Sequence, residues 1–134
     1  MTTERLRIAA TGRSPEVDFD FDSGVLRLKG ESYPDDVAAF FGPVLGALRS
    51  YLGESAPQPI RFDMELMYFN SSSAKALMNV FQMLEGAAKQ GRPVVVNWYH
   101  EPDDEAMQEL GEDFSLDLQH VKFNLKESPA GGGR

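Results

Sequence analysis

The chain has 134 residues, with 13 Lys and Arg against 21 Asp and Glu for a formal net charge of −8, and it contains no cysteine. That length makes one ordinary domain with one hydrophobic core, and the 42% hydrophobic content argues against intrinsic disorder. The missing cysteine excludes a thiol nucleophile, a disulfide framework and thiolate metal sites, and the acidic balance argues against nucleic acid as partner, since phosphate binding draws on clustered Lys and Arg.

Met1 to Arg7 has no apolar run behind its charges, so no secretory signal is visible and a cytoplasmic location is expected. Leu6 to Ala9 reads as a short first strand, followed by a loop at Thr11 to Pro15. Glu16 to Asp22 alternates strictly, with Val17, Phe19 and Phe21 on one face and carboxylates on the other, the pattern of a half-buried strand. Turn residues Asp22-Ser23-Gly24 lead into a second strand, Val25 to Gly30, and the two make a hairpin. Glu31 to Pro34 is expected to end it.

From Asp35 to Leu52 the apolar residues recur at three- and four-residue spacing, which predicts an amphipathic helix closed by Gly53. Pro43 removes one helical hydrogen bond, so a kink or a late start is expected there. The longest uncharged apolar stretch, Val37 to Leu48, is interrupted by Gly42, Pro43 and Gly46 and falls short of the roughly 20 residues a membrane span needs. Ile60 to Phe69 begins as an alternating strand, and at Met67 and Phe69 both faces turn apolar, which predicts a deeply buried far end. Ala74, Leu77, Met78, Phe81, Leu84 and Ala88 mark a second helix that Gly91 closes. Val94 to Tyr99 is a short β-rich run, and strand, helix and strand together make a βαβ unit. Pro102 to Glu105 opens a third, acidic helix carrying Met107, Leu110 and Phe114, and His120 to Leu125 is a final strand. Residues 1–127 thus form a single domain, with a disordered tail over 128–134.

Candidate chemistry concentrates at Ser71, Ser72 and Ser73, where a strand hands over to a helix amino terminus. The first backbone N–H groups of a helix lack intrahelical partners, so that end suits an anion, and Lys75 stands one turn away. From spacing alone plain capping is the simpler reading, because Ser and Asn are preferred N-cap residues whatever the function. Ser72-Ser73-Ala74-Lys75 also fits a Ser-x-x-Lys pattern of acyl-transferring enzymes, but the companion Lys-Thr-Gly and Ser-Asp-Asn elements are missing. No P-loop precedes the serines. Asp18, Asp20 and Asp22 imitate the start of a calcium loop, yet the required glycine and terminal glutamate positions hold Ser23 and Lys29; a solvated strand face is expected instead. His100 and His120 have no metal-ligand spacing and read as surface or strand-end residues. Trp98 and Tyr99 read as packing aromatics.

Three stretches, Gly30-Glu31-Ser32-Tyr33-Pro34-Asp35, Leu66 through Lys75, and Val96-Asn97-Trp98-Tyr99 before an acidic helix, together resemble the SiaC family of bacterial regulatory phosphoproteins over about Gly24 to Phe123. The resemblance implies a fold similar to the anti-sigma factor antagonists, the STAS domains: a mixed α/β sheet with about three helices, an N-terminal hairpin and then βαβ units. In the family the motif is typically Asn-Thr-Ser-Ser-x-Lys, and its threonine is the phosphorylated residue; the matching position is Ser71, with Ser72 and Ser73 as neighbouring hydroxyls. The resemblance further implies a non-enzymatic, cofactor-free partner switch. A dedicated kinase and a metal-dependent phosphatase act on it, and the unmodified form engages a target such as a diguanylate cyclase controlling biofilm formation. Ser32, Tyr33, Asn70, Ser72, Ser73 and Lys75 are the expected partner-binding neighbours of Ser71. A small-ligand or anion-binding module using the same helix end, and a Ser-Lys hydrolase, are the alternatives.

Overall fold

A computed structural model describes residues 5–53 and 58–128. These form strands β1 (Arg5–Ile8), β2 (Glu16–Asp20) and β3 (Val25–Ser32), helix α1 (Val37–Leu52), strand β4 (Ile60–Phe69), helix α2 (Ser71–Lys89), strand β5 (Val94–His100), helix α3 (Glu105–Ser115) and strand β6 (Lys122–Glu127). All the strands join one sheet in chain order. β1, β2 and β3 pair antiparallel, whereas β3 through β6 are parallel and separated by one helix each. The fold class is therefore mixed α/β, an N-terminal hairpin continued by βαβ units. Among the described residues no helix is long and apolar enough to cross a membrane.

Strand alternation decides which face is covered. Val17, Phe19, Leu26, Leu28, Phe62, Met64, Val96 and Trp98 are buried on one face. Over it lie α1 through Phe41, Val44, Leu48 and Tyr51, α2 through Leu77, Val80, Phe81 and Leu84, and α3 through Met107. Ring contacts of Phe21 with Tyr51 (4.6 Å), Phe81 with Trp98 (6.2 Å) and Trp98 with Phe114 (5.5 Å) hold the three helices to that face. The approach of α3 is close. The Trp98 indole N–H donates to the Met107 carbonyl at 3.0 Å, and a Cβ at Gly111 would stand 2.6 Å from the indole.

The opposite face is polar and its register is specific. Arg7, Asp18, Arg27, Asp63, Asn97 and Asn124 lie directly across from one another, strand by strand. Asn97 donates to Asp63 at 2.8 Å, Asn124 donates to Asn97 at 3.2 Å, and Arg61 reaches Asp63 at 2.7 Å. Burial pushes the Asp63 carboxyl up, but hydrogen bonds from Arg61 and Asn97 and the charges of Arg61 and Arg27 outweigh it and hold Asp63 below the usual carboxylate range. Asp18 and Asp20 flank Arg5 at 3.1 and 3.7 Å, and Asp20 also accepts the backbone N–H groups of Asp22 and Ser23 in the turn. These aspartates thus serve cross-strand pairing and the turn.

Several boundaries differ from the expectations. β3 continues past Gly30 to Ser32 through an irregularity in the β3–β4 register. α1 starts at Val37, where the Asp36 side chain caps Ala39 N–H at 3.0 Å, and runs on through Pro43, so the late start is not adopted. β6 begins at Lys122 instead of His120, because the N–H groups of Gln119, His120 and Val121 all turn to the Glu85 carboxylate. His100 ends its strand but is buried rather than at the surface. Of the tail expected over 128–134, Ser128 is described and its N–H donates to the His100 carbonyl at 2.7 Å, while 129–134 lie outside the described residues.

Candidate functional site

β4 passes into α2 with only Asn70 between them. Asn70 has extended backbone angles, and its side-chain oxygen accepts the Ser73 N–H at 2.9 Å, the geometry of a helix N-cap. Its own N–H donates to the Ser32 carbonyl at 3.1 Å. Ser73 is fully buried, and the Ser32 hydroxyl, also buried, meets the Ser73 hydroxyl at 2.9 Å. The expected cluster therefore divides by role. Asn70 and Ser73 tie the helix start to β3, while Ser71 and Ser72 stand exposed in the first turn, with Lys75 exposed one turn further on. Ser73 has no exposed hydroxyl to modify, and Ser71 is not needed as a cap.

Tyr33 is half-buried, its N–H donates to the Arg13 carbonyl at 2.7 Å, and its ring meets Tyr68 edge-on at 5.7 Å. At the end of β4 the expected deep burial holds for Leu66 and Phe69 but fails for Met67 and Tyr68. Gly30 is opposite Leu66 and Glu31 is opposite Tyr68, so Met67 has no counterpart in β3. A bulge of this kind places two successive side chains on one side, and Met67 and Tyr68 are 60% and 52% exposed. Gly30 takes φ +125°, a region that disfavours other residues. The sequence carried a signal for this: an isolated glycine within a strand pattern marks a bulge. Exposed apolar side chains thus stand four and three residues before the exposed Ser71.

Chemically, the α2 amino terminus offers an accessible hydroxyl beside free N–H groups and the positive end of the helix dipole. A serine nucleophile is poorly served there, since both Ser72 and Lys75 are exposed to solvent. Among the described residues no three His, Asp or Glu side chains converge to hold a metal ion.

The family model for the SiaC family regulatory phosphoprotein matches residues 8–128. An uncharacterized protein of Pseudomonas aeruginosa strain UCBPP-PA14 is 35% identical over 112 residues, spanning 84% of this chain and 88% of that one. The fold is similar to apo-SiaC from P. aeruginosa, with a TM-score of 0.84 and 32% identity over 92% of this chain and 99% of that chain. It is equally similar to a chain in the crystal structure of the diguanylate cyclase SiaD in complex with its activator SiaC from P. aeruginosa, with a TM-score of 0.86 and 33% identity over 91% and 98% of the two chains. On the match to the family model and on these relatives, the chain belongs to the SiaC family of regulatory phosphoproteins.

Proposed function

We propose that this protein is a cytoplasmic partner switch, a single regulatory domain over residues 1–127, phosphorylated reversibly at Ser71. A protein kinase adds the phosphate and a metal-dependent phosphatase removes it. The unmodified form binds a diguanylate cyclase through Ser71, Ser72, Tyr33, Asn70 and Lys75, together with Met67 and Tyr68. Ser32 and Ser73 position the helix start from beneath.

The observation that carries the reading is the exposed Ser71 at the start of α2, three and four residues after exposed Tyr68 and Met67, in a member of a phosphoprotein family whose relative SiaC is the activator of a diguanylate cyclase. A phosphate there adds about −1.5 to −2 charges. The domain itself tolerates them, because a helix amino terminus favours an anion by about 0.3 to 1 kcal/mol. A docked partner must instead bury a dianion next to an apolar contact, which is costly without a matching cation.

The test combines intact-mass analysis of protein from the native host with pull-downs of the parent, Ser71→Ala and Ser71→Asp forms. The expected outcome is one phosphate lost on Ser71→Ala, cyclase retained by Ser71→Ala, and cyclase released by Ser71→Asp without a change in melting temperature. Equal cyclase recovery by all three forms would refute the switch at Ser71.

A further inference from the structure

The parallel sheet splits at the edge that carries Ser71. β4 and β5 pair only as far as Met64 opposite Trp98, although β4 stays with β3 to Phe69 and β5 stays with β6 to His100. The Met67 bulge holds one side of the gap, and on the other the Ser128 N–H donates to the His100 carbonyl at 2.7 Å. Between them opens a cleft of about 270 Å³.

The cleft's lining has a consistent chemistry. Glu31, Glu65, Glu101 and Asp104 set four carboxylates against one ammonium, Lys29, over apolar walls from Leu66, Met67 and Met107, and the Asp104 carboxylate also accepts the Met107 N–H at 3.0 Å as the cap of α3. His100, 6% exposed, also lines it, and its Nδ1 lies 2.9 Å from the Glu101 carbonyl. That carbonyl can only accept, so Nδ1 carries the hydrogen. The carboxylates therefore favour a donor-rich cation, with Lys29 alone opposing it in charge. A metal ion does not fit, since no three acidic or histidine side chains among the described residues converge on a point. A planar guanidinium on an aliphatic stem suits acceptors spread around apolar walls.

We infer that this cleft receives an arginine side chain of the protein that docks over Ser71. The inference rests on the reading of Ser71 as a partner-binding edge. What favours a partner's side chain over a free cation is continuity: Met67 both lines the cleft and stands exposed beside Tyr68 on the way to Ser71. The interface then has an apolar centre, a phosphate-sensitive side and a charge-recognising side.

Two measurements test it. The first titrates N-acetylarginine amide into isotope-labelled protein, with the uncharged N-acetylcitrulline amide as control. The single tryptophan is a convenient reporter, because its indole N–H is bonded to the Met107 carbonyl at the cleft wall. Blocked arginine is expected to shift the His100 and Trp98 resonances, citrulline is not, and the Glu65→Gln/Glu101→Gln variant is expected to lose the response. Equal shifts with citrulline, or shifts that survive in the variant, overturn the assignment. The second measures binding of a purified diguanylate cyclase from the host to unphosphorylated protein. The double variant is expected to bind about tenfold more weakly and with a shallower salt dependence. Unchanged cyclase affinity in the double variant overturns the partner's arginine as occupant, even where blocked arginine still binds. Ser71→Asp is measured beside it: a loss in the double variant with no loss in Ser71→Asp upholds the cleft and refutes the switch.

Discussion

Glu85 offers the sharpest test of how the helical layer is fastened to the sheet. Its carboxylate receives the N–H groups of Gln119, His120 and Val121 at 3.0 to 3.2 Å and the His120 ring Nδ1 at 2.7 Å. One side chain of α2 thereby holds the whole turn that feeds β6. Burial alone would raise its pKa, but the His120 side chain and the backbone donors outweigh that and draw it from the usual 4.5 down to about 2. A fall of that size corresponds to a ceiling of about 3 kcal/mol. The side chain retains 19% exposure, and solvent screening brings the working figure to about 1 to 2 kcal/mol. The sign follows from the depressed pKa. The contribution is complete above about pH 4.5 and disappears as the pH falls toward about 2. Glu85→Gln keeps an oxygen for the backbone donors and loses the charge, so it should lower stability by that amount at neutral pH, or about 3 to 6 °C in melting temperature. Urea unfolding of parent and variant through the acid range is the assay, and the two stabilities should converge as the pH nears about 2. A constant offset across that range, or none at neutral pH, would refute the argument.

Three further sets of substitutions probe the packing and the exposed edge. Ser73→Ala leaves the buried Ser32 hydroxyl without its partner and should cost about 1 to 3 kcal/mol, whereas Ser32→Ala/Ser73→Ala should lie closer to the parent; urea unfolding of the parent, both single variants and the double variant measures the coupling. Gly111→Ala forces a methyl against Trp98 and Leu125 and should cost about 1 to 3 kcal/mol, seen as a lower melting temperature and an altered near-ultraviolet signal from the tryptophan. Met67→Ser/Tyr68→Ser removes exposed apolar surface, so stability should change by less than about 1 kcal/mol while retention of the diguanylate cyclase in pull-downs falls.

Much of this architecture is legible because strict alternation and helical spacing each report one covered face. Val17, Phe19 and Phe21, or Leu77, Phe81 and Leu84, announce their burial, and β4 spans Ile60–Phe69 as its pattern predicts. The departures are places where a non-local partner overrides a local pattern. β6 starts late because Glu85, more than thirty residues earlier, takes the N–H groups that a strand would use. Met67 and Tyr68 belong to an apolar run, yet the bulge opposite Gly30 turns both outward. At the serines the sequence located the helix start but could not divide the labour. Asn70 and Ser73 are distinguished from Ser71 and Ser72 only by the arrival of Ser32 from β3.

That division bears on how a switch at Ser71 would be read. The α2 start is fixed three times, by the Asn70 cap on Ser73, by the Asn70 N–H on the Ser32 carbonyl, and by the buried Ser32–Ser73 hydroxyl pair. None of these contacts uses the Ser71 side chain. A charge placed on Ser71 would therefore meet a helix end that already has its cap and an anchor to β3, so among the described residues this junction offers no loose element for the charge to order or release. Signalling by refolding would need such a bistable element. What remains is a change in the surface itself, in which the same rigid edge presents Met67, Tyr68 and either a neutral hydroxyl or a dianion. Discrimination then falls to the partner, whose affinity differs between two nearly identical structures by the cost of burying that charge.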